Sequence, residues 1–102
     1  MKRLPWLITL AAVTIAGPAL AQDPIQRGAA LFDKGDLDGA LRAFEEAGAA
    51  HPKDAQPLYL QGVVWSAMGN ASRSTQAYRA ALKVEPRHAE AANNLALILA
   101  TG

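Results

Sequence analysis

Two stretches of the sequence decide the fold. Residues 22–52 read QDPIQRGAALFDKGDLDGALRAFEEAGAAHP, and residues 56–86 read QPLYLQGVVWSAMGNASRSTQAYRAALKVEP. When the first is laid over the second, small residues and prolines recur at the same places. The identical pairs include Gly28 and Gly62, Gly35 and Gly69, Ala43 and Ala77, Ala47 and Ala81, and Pro52 and Pro86. A period of about 34 residues is typical of stacked helix–turn–helix units, so we expect an all-α repeat fold.

Capping residues and chain breakers predict where the helices begin and end. Four residues whose side chains suit an N-cap precede helical segments: Asp23, Asp36, Asp54 and Asn70. Glycine or proline follows each of these segments and ends it. No stretch shows the alternation of a half-buried strand. These signals predict five helices, at about 24–34, 37–50, 55–68, 71–84 and 88–100.

The repeated residues resemble the tetratricopeptide repeat (TPR). In the first stretch the resemblance rests on Gly28, Leu31, Ala40, Phe44, Ala47 and Pro52, and in the second on Gly62, Trp65, Ser74, Tyr78, Ala81 and Pro86. It covers residues 22–102 and implies repeats at 22–54 and 55–88, followed by one additional helix at 89–102. Within each repeat we expect the small residues to let two helices approach closely, and the large ones to fill the space between them.

Residues 1–21 are predicted to be a secretory signal peptide. Lys2 and Arg3 supply the positive start, and residues 4–20 carry no charge. Ala19 and Ala21 then provide the small residues that a signal peptidase requires, so we expect cleavage after Ala21 and export to a bacterial periplasm. The alternative is an uncleaved segment that tethers the repeats to the inner membrane.

Composition excludes several function classes. Half of the residues are apolar, which argues against disorder, and the absence of cysteine excludes disulfides and thiolate metal sites. Without residues 1–21 the chain has eight basic and nine acidic residues, a net charge of −1, which argues against nucleic-acid binding. The charge is uneven, because residues 22–54 carry a net −3 and residues 55–88 a net +3.

Catalytic and metal-binding patterns are lacking in the sequence. His51 and His88 both stand at helix junctions, where we expect solvent-facing linker residues. The acidic pattern from Asp36 to Glu45 resembles part of a calcium-binding loop, but the cation Lys34 stands where the first ligand is needed. We therefore expect a non-catalytic protein without metal or cofactor. The alternative, a metal-dependent accessory protein or small enzyme, would show in thermal melts with calcium, zinc and a chelator.

The family resemblance implies a partner-binding groove. In TPR proteins the first helices of the pairs line a concave surface that receives peptide segments or helices. The positions that match carry mainly apolar side chains here, and the predicted partner-binding residues are Phe32, Tyr59, Leu60, Val63, Asn93, Asn94 and Leu97. Among them we expect Phe32 and Tyr59 to anchor a protein or peptide partner, and the two asparagines to bind its backbone.

The last helical segment is unusually apolar for the end of a repeat array. Leu95, Ile98 and Leu99 give it a face that no later repeat in the sequence covers. The sequence leaves three explanations: a shortened relative of longer arrays, a partner protein on this face, or a homodimer through this helix. For the homodimer, the opposite charges of the two repeats favour an antiparallel encounter.

Overall fold

The structure, a computed structural model, describes residues 23–101. That part of the chain forms five α-helices and no strand: α1 (Pro24–Asp33), α2 (Leu37–Ala50), α3 (Ala55–Ala67), α4 (Ala71–Val84) and α5 (Ala89–Thr101). Every helix begins and ends within one residue of its predicted bounds, which confirms the all-α repeat class. The predicted signal peptide lies outside the described residues.

Side-chain caps begin the first four helices, as the sequence predicts. Asp23 and Asp54 accept hydrogen bonds from backbone N–H groups two residues later, at 3.3 and 3.0 Å. Asp36 and Asn70 accept theirs from the third residue, at 2.9 and 3.0 Å. Each bond satisfies a backbone donor that the helix leaves unpaired, so these starting points follow from local sequence alone.

Glycines in left-handed conformation turn the chain between the helices of each pair. Gly35 has a φ of +83° and Gly69 a φ of +81°, and both directly follow the C-cap residue of a helix. Other residues are sterically strained at these angles, which explains why glycine recurs here. The chain thus reverses in the same way at matching points of the two repeats.

Helices that are neighbours in sequence pack against each other, so α1 to α5 stack in chain order. Within the first pair, Gly28 of α1 faces the ring of Phe44 on α2. Within the second pair, Gly62 of α3 faces the ring of Tyr78 on α4. A Cβ atom at either glycine would collide with the ring, so the small residue sets the distance between the helices.

Two hydrophobic clusters form the core, and α3 contributes to both. The first cluster is built on Ala40, Phe44 and Val64, and the second on Ala55, Tyr78, Ala81 and Ala91. Helix α3 carries no charged residue, in agreement with its position in the middle of the stack. Within residues 23–101, no helix combines the length and the apolar character that a membrane crossing requires.

Candidate partner-binding site

The seven predicted partner-binding residues fall into two groups. Phe32 and Leu60 are half-buried and pack against the first cluster, beside Phe44 and Val64. The other five lie on α3 and α5, around the second cluster. The first group therefore contributes to the contact between helices, and the open surface is found at the second.

A cavity of about 280 Å³ opens between α3 and α5. Three of the predicted residues line it, Val63, Asn94 and Leu97. Three others complete the lining: Ser66, Tyr78 and Ile98. Tyr78 was expected in the core and Ile98 on the open apolar face of the last helix. The signal that marks Tyr78 is its hydroxyl group, since its counterpart Phe44 has none.

The cavity wall carries three polar side chains, those of Ser66, Tyr78 and Asn94. The Asn94 amide donates a hydrogen bond of 3.3 Å to the Tyr78 hydroxyl. The Ser74 hydroxyl donates a hydrogen bond of 2.8 Å to the carbonyl of Gly62, so in its 2.6 Å bond with Ser66 the Ser74 oxygen accepts and the Ser66 hydroxyl donates. Ser66 therefore keeps its acceptor capacity, and Asn94 and Tyr78 each use only part of theirs.

Tyr59 lies beside the cavity and takes part in helix packing. Its ring centre is 5.9 Å from that of Tyr78 and 5.0 Å from that of His88. Burial raises the pKa of the Tyr59 phenol, the nearby Glu90 carboxylate and Tyr78 raise it further, and a hydrogen bond from Asn94 opposes them. Tyr59 therefore stays neutral at physiological pH, and its half-buried ring carries no charge.

The structure corrects the prediction for His88, which is 6% exposed and is not a solvent-facing linker. Its Nδ1 accepts a hydrogen bond of 3.2 Å from the backbone N–H of Ala91, so the ring caps the start of α5. Because Nδ1 accepts, Nε2 carries the proton and donates to the Gln56 side-chain oxygen at 2.9 Å. The repeat period could have predicted this cap, since His88 occupies the same place in the repeat as the cap residue Asp54.

The leucines and isoleucine of α5 differ in how far the stack covers them. Leu95 and Ile98 are half-buried against the second cluster. Leu97 and Leu99 are 63% and 57% exposed. The open apolar face expected from the sequence is therefore narrower than predicted, and of these two exposed leucines only Leu97 lines the cavity. Asn93, on the same helix, is exposed as well.

Charged groups are scarce around the cavity, because Glu90 is the single charged residue of α5 and α3 has none. Outside the cavity, matching positions of the two pairs carry opposite charges, with Glu45 on α2 and Arg79 on α4. No group of three or more potential metal ligands occurs in the described part of the chain.

Comparison with known families agrees with this architecture. A profile of the tetratricopeptide repeat matches residues 25–65 and 66–102. The chain belongs to the tetratricopeptide repeat family. TPR repeats generally mediate protein–protein interaction, and proteins built from them are typically scaffolds without catalytic activity. No match was found among curated proteins.

Proposed function

We propose that this TPR protein is an exported, non-catalytic adaptor that binds a protein or peptide through the surface formed by α1, α3 and α5. The observation that carries the proposal is the open cavity between α3 and α5, with the exposed Leu97 on its rim. A leucine side chain exposed beside a cavity gains free energy when a partner covers it. The uncharged surroundings favour a partner that presents apolar side chains.

Binding proceeds on a largely preformed surface. Because α3 and α5 are fixed by the second cluster, the cavity exists before the partner arrives, and little conformational entropy is lost on binding. Tyr59 supplies a neutral aromatic contact, and Phe32 extends the apolar surface towards α1. Asn93 is exposed and Asn94 half-buried, and both offer amide groups to the backbone of a bound segment.

Two leucines of α5 allow a matched test of the surface. Leu97→Glu places a charge on the rim of the cavity, whereas Leu99→Glu places the same charge on the same helix outside it. Both side chains are more than half exposed, so both variants should fold with unchanged helicity. We expect Leu97→Glu to weaken partner recovery by at least about tenfold, because burial of an unpaired charge is costly.

Crosslinking in the periplasm, followed by mass spectrometry, identifies the partner and measures its recovery. The proposal requires a partner protein that is crosslinked to the unmodified protein and to the Leu99→Glu variant, and that is no longer crosslinked to the Leu97→Glu variant. Asn94→Ala is expected to give a smaller loss, since it removes amide contacts without adding a charge. Equal recovery of every partner with both leucine variants would refute the surface assignment.

Export is part of the proposal and has its own test. The positive start, the uncharged run and the alanines that end at Ala21 support cleavage by a signal peptidase. The intact mass of the exported protein should correspond to a chain that begins at Gln22. A mass that retains residues 1–21 would favour the membrane-tethered alternative.

A second copy of the chain is the partner that we propose for the other side of α5. Leu99 and Ala96 are exposed there. At the position that matches Ala96, Gly62 of α3 is covered by Tyr78 of α4. Two α5 helices packed against each other would cover this apolar face in both copies and leave the cavity open.

Charge acts against this dimer at low salt. The helices stack in chain order, so a second copy at α5 approaches the second helix pair first, and residues 55–88 carry a net +3. Like charges therefore come closest, and the opposite charges of the two pairs do not meet. Because salt screens repulsion over about 8 Å at physiological strength, we expect the dimer to tighten as salt is raised.

Sedimentation at low and high salt tests the dimer. The proposal expects a dimer fraction that grows with salt in the natural sequence and disappears in Leu99→Glu. A strict monomer at tens of micromolar in both buffers contradicts it.

A further inference from the structure

The repeat period shows how the cavity between α3 and α5 arises. Its residue Ser66 occupies the same place in the second repeat as Phe32 in the first. In the first pair Phe32 packs onto the cluster that contains Phe44 and Val64. The space that corresponds to the cavity is therefore occupied there by an aromatic ring of the chain itself. In the second pair a serine stands there, and a cavity of about 280 Å³ lies at that place.

Two further residue differences between the pairs change the chemistry of this cavity. Leu60 of the first pair corresponds to Asn94, and Phe44 corresponds to Tyr78. The apolar surroundings of Phe32 thus become a cavity whose wall carries an amide and a phenol hydroxyl, joined by a hydrogen bond of 3.3 Å. Val63, Leu97 and Ile98 keep the remaining wall apolar.

The polar groups of the cavity have unused hydrogen-bonding capacity. The Asn94 amide donates to Tyr78 and also interacts with Tyr59, so the side-chain oxygen of Asn94 remains as an acceptor and the Tyr78 hydroxyl keeps its own donor. The Ser66 hydroxyl donates to Ser74 and keeps its acceptor positions. A guest that both donates and accepts a hydrogen bond therefore finds partners for each role.

We propose that the cavity receives a tyrosine side chain of the bound partner. The ring takes the place that Phe32 occupies in the first pair, and the hydroxyl forms a hydrogen bond with the polar side chains of the wall, Ser66, Tyr78 and Asn94. A phenylalanine fills the same space but leaves the remaining hydrogen-bonding positions of those side chains unused. A lysine or arginine finds no carboxylate among the six residues that line the cavity. This inference rests on the proposed function and names the side chain that the surface selects.

The side-chain analogues p-cresol and toluene test the proposal without the natural partner. Toluene is the more hydrophobic of the two, so a purely apolar cavity binds it more tightly. We expect the reverse order, with p-cresol about two- to tenfold tighter, because it gains a neutral hydrogen bond. In titrations of the purified protein followed by NMR, p-cresol should shift the methyl signals of Val63, Leu97 and Ile98.

Ser66→Phe is the decisive variant, since it gives the second pair the residue of the first. It should abolish binding of both analogues without loss of stability, because the new ring fills the cavity. Ser72→Phe, the same substitution at an exposed serine that does not line the cavity, serves as the matched control and should bind as before. Asn94→Leu should remove the preference for p-cresol over toluene and keep the cavity.

The proposal is overturned if toluene binds as tightly as p-cresol, if neither analogue shifts the three methyl signals, or if Ser66→Phe binds unchanged. These outcomes concern only the cavity, so they are distinct from a failure of the proposed function. That failure would appear as partner recovery that Leu97→Glu does not alter.

Discussion

The two helix pairs pack in the same way but differ in the space that they leave open to solvent. In both, a ring from the second helix covers a glycine of the first, Phe44 over Gly28 and Tyr78 over Gly62. The first pair fills its remaining space with Phe32, whereas the second leaves a cavity at the matching Ser66. The comparison teaches that buried contact positions preserve the fold, while neighbouring positions are free to differ and to leave a cavity open.

Truncation of the covering rings should have the largest effect. Phe44→Ala and Tyr78→Ala each remove an almost fully buried side chain and should cost about 3–5 kcal/mol of the free energy of unfolding. This loss is a large part of the stability of so small a domain. Chemical denaturation measures it.

The two truncations should differ in their effect on α5. Tyr78 shares its cluster with Ala91, Leu95 and Ile98, whereas Phe44 belongs to the other cluster. Hydrogen exchange at the amides of α5 should therefore accelerate more in Tyr78→Ala than in Phe44→Ala. Equal acceleration at matched stability would mean that the two clusters unfold as one unit.

Alanine at the covered glycines should have the next largest effect. A Cβ atom at Gly28 would lie 2.5 Å from a ring carbon of Phe44, and one at Gly62 would collide with Tyr78 in the same way. Overpacking of this kind costs about 1–3 kcal/mol, and the higher helix propensity of alanine offsets up to about 1 kcal/mol of it.

Gly48→Ala is the matched control, because Gly48 lies inside α2 and its Cβ atom would come no closer than 3.2 Å to a neighbour, the end of the Gln61 side chain. It should be neutral or stabilising in thermal melts, whereas Gly28→Ala and Gly62→Ala should lower the melting temperature. If all three variants melted alike, the close approach of the helices would not be what requires glycine.

His88 sharpens the comparison between the starts of α3 and α5. Asp54→Ala removes one capping bond and should cost about 1 kcal/mol. His88→Ala removes a cap, a hydrogen bond to Gln56 and the ring contact with Tyr59, so its cost should be about 2 kcal/mol. His88→Asn, which retains a side-chain acceptor at the cap, should recover part of the difference in urea denaturation.

The smallest effect on stability is expected for an ion pair that occurs on the surface of the first helix pair and not on that of the second. Arg27 and Glu46 meet at 2.6 Å, whereas the matching positions carry Gln61 and Ala80. Both partners are well exposed, so their coupling should be about 0.2–1 kcal/mol and should fall with added salt. A double-mutant cycle with alanine measures the coupling, and a salt-independent value above this range would contradict the assignment.

The cavity was only partly predictable: three of its six lining residues, Val63, Asn94 and Leu97, are among the predicted partner-binding residues. Tyr78 was expected in the core, because its repeat position predicts a buried ring and does not predict the direction of its hydroxyl group. Phe32 and Leu60 were expected on the partner surface, and the structure places them half-buried against the first cluster. The position of a residue in the repeat does not by itself distinguish a side chain that packs between helices from one that lies on the partner surface.

The sequence by itself determined the helices, their bounds and their pairing. The signals that set these bounds act on residues close to them in the chain, so local interactions are sufficient to place the helix ends. Examples are the cap Asp36, the turn glycine Gly35 and the terminating proline Pro52. The tertiary structure alone decided that His88 is buried and that Tyr78 lines a cavity. Those properties depend on how closely α3, α4 and α5 approach one another, and that distance is set by side chains far apart in the chain.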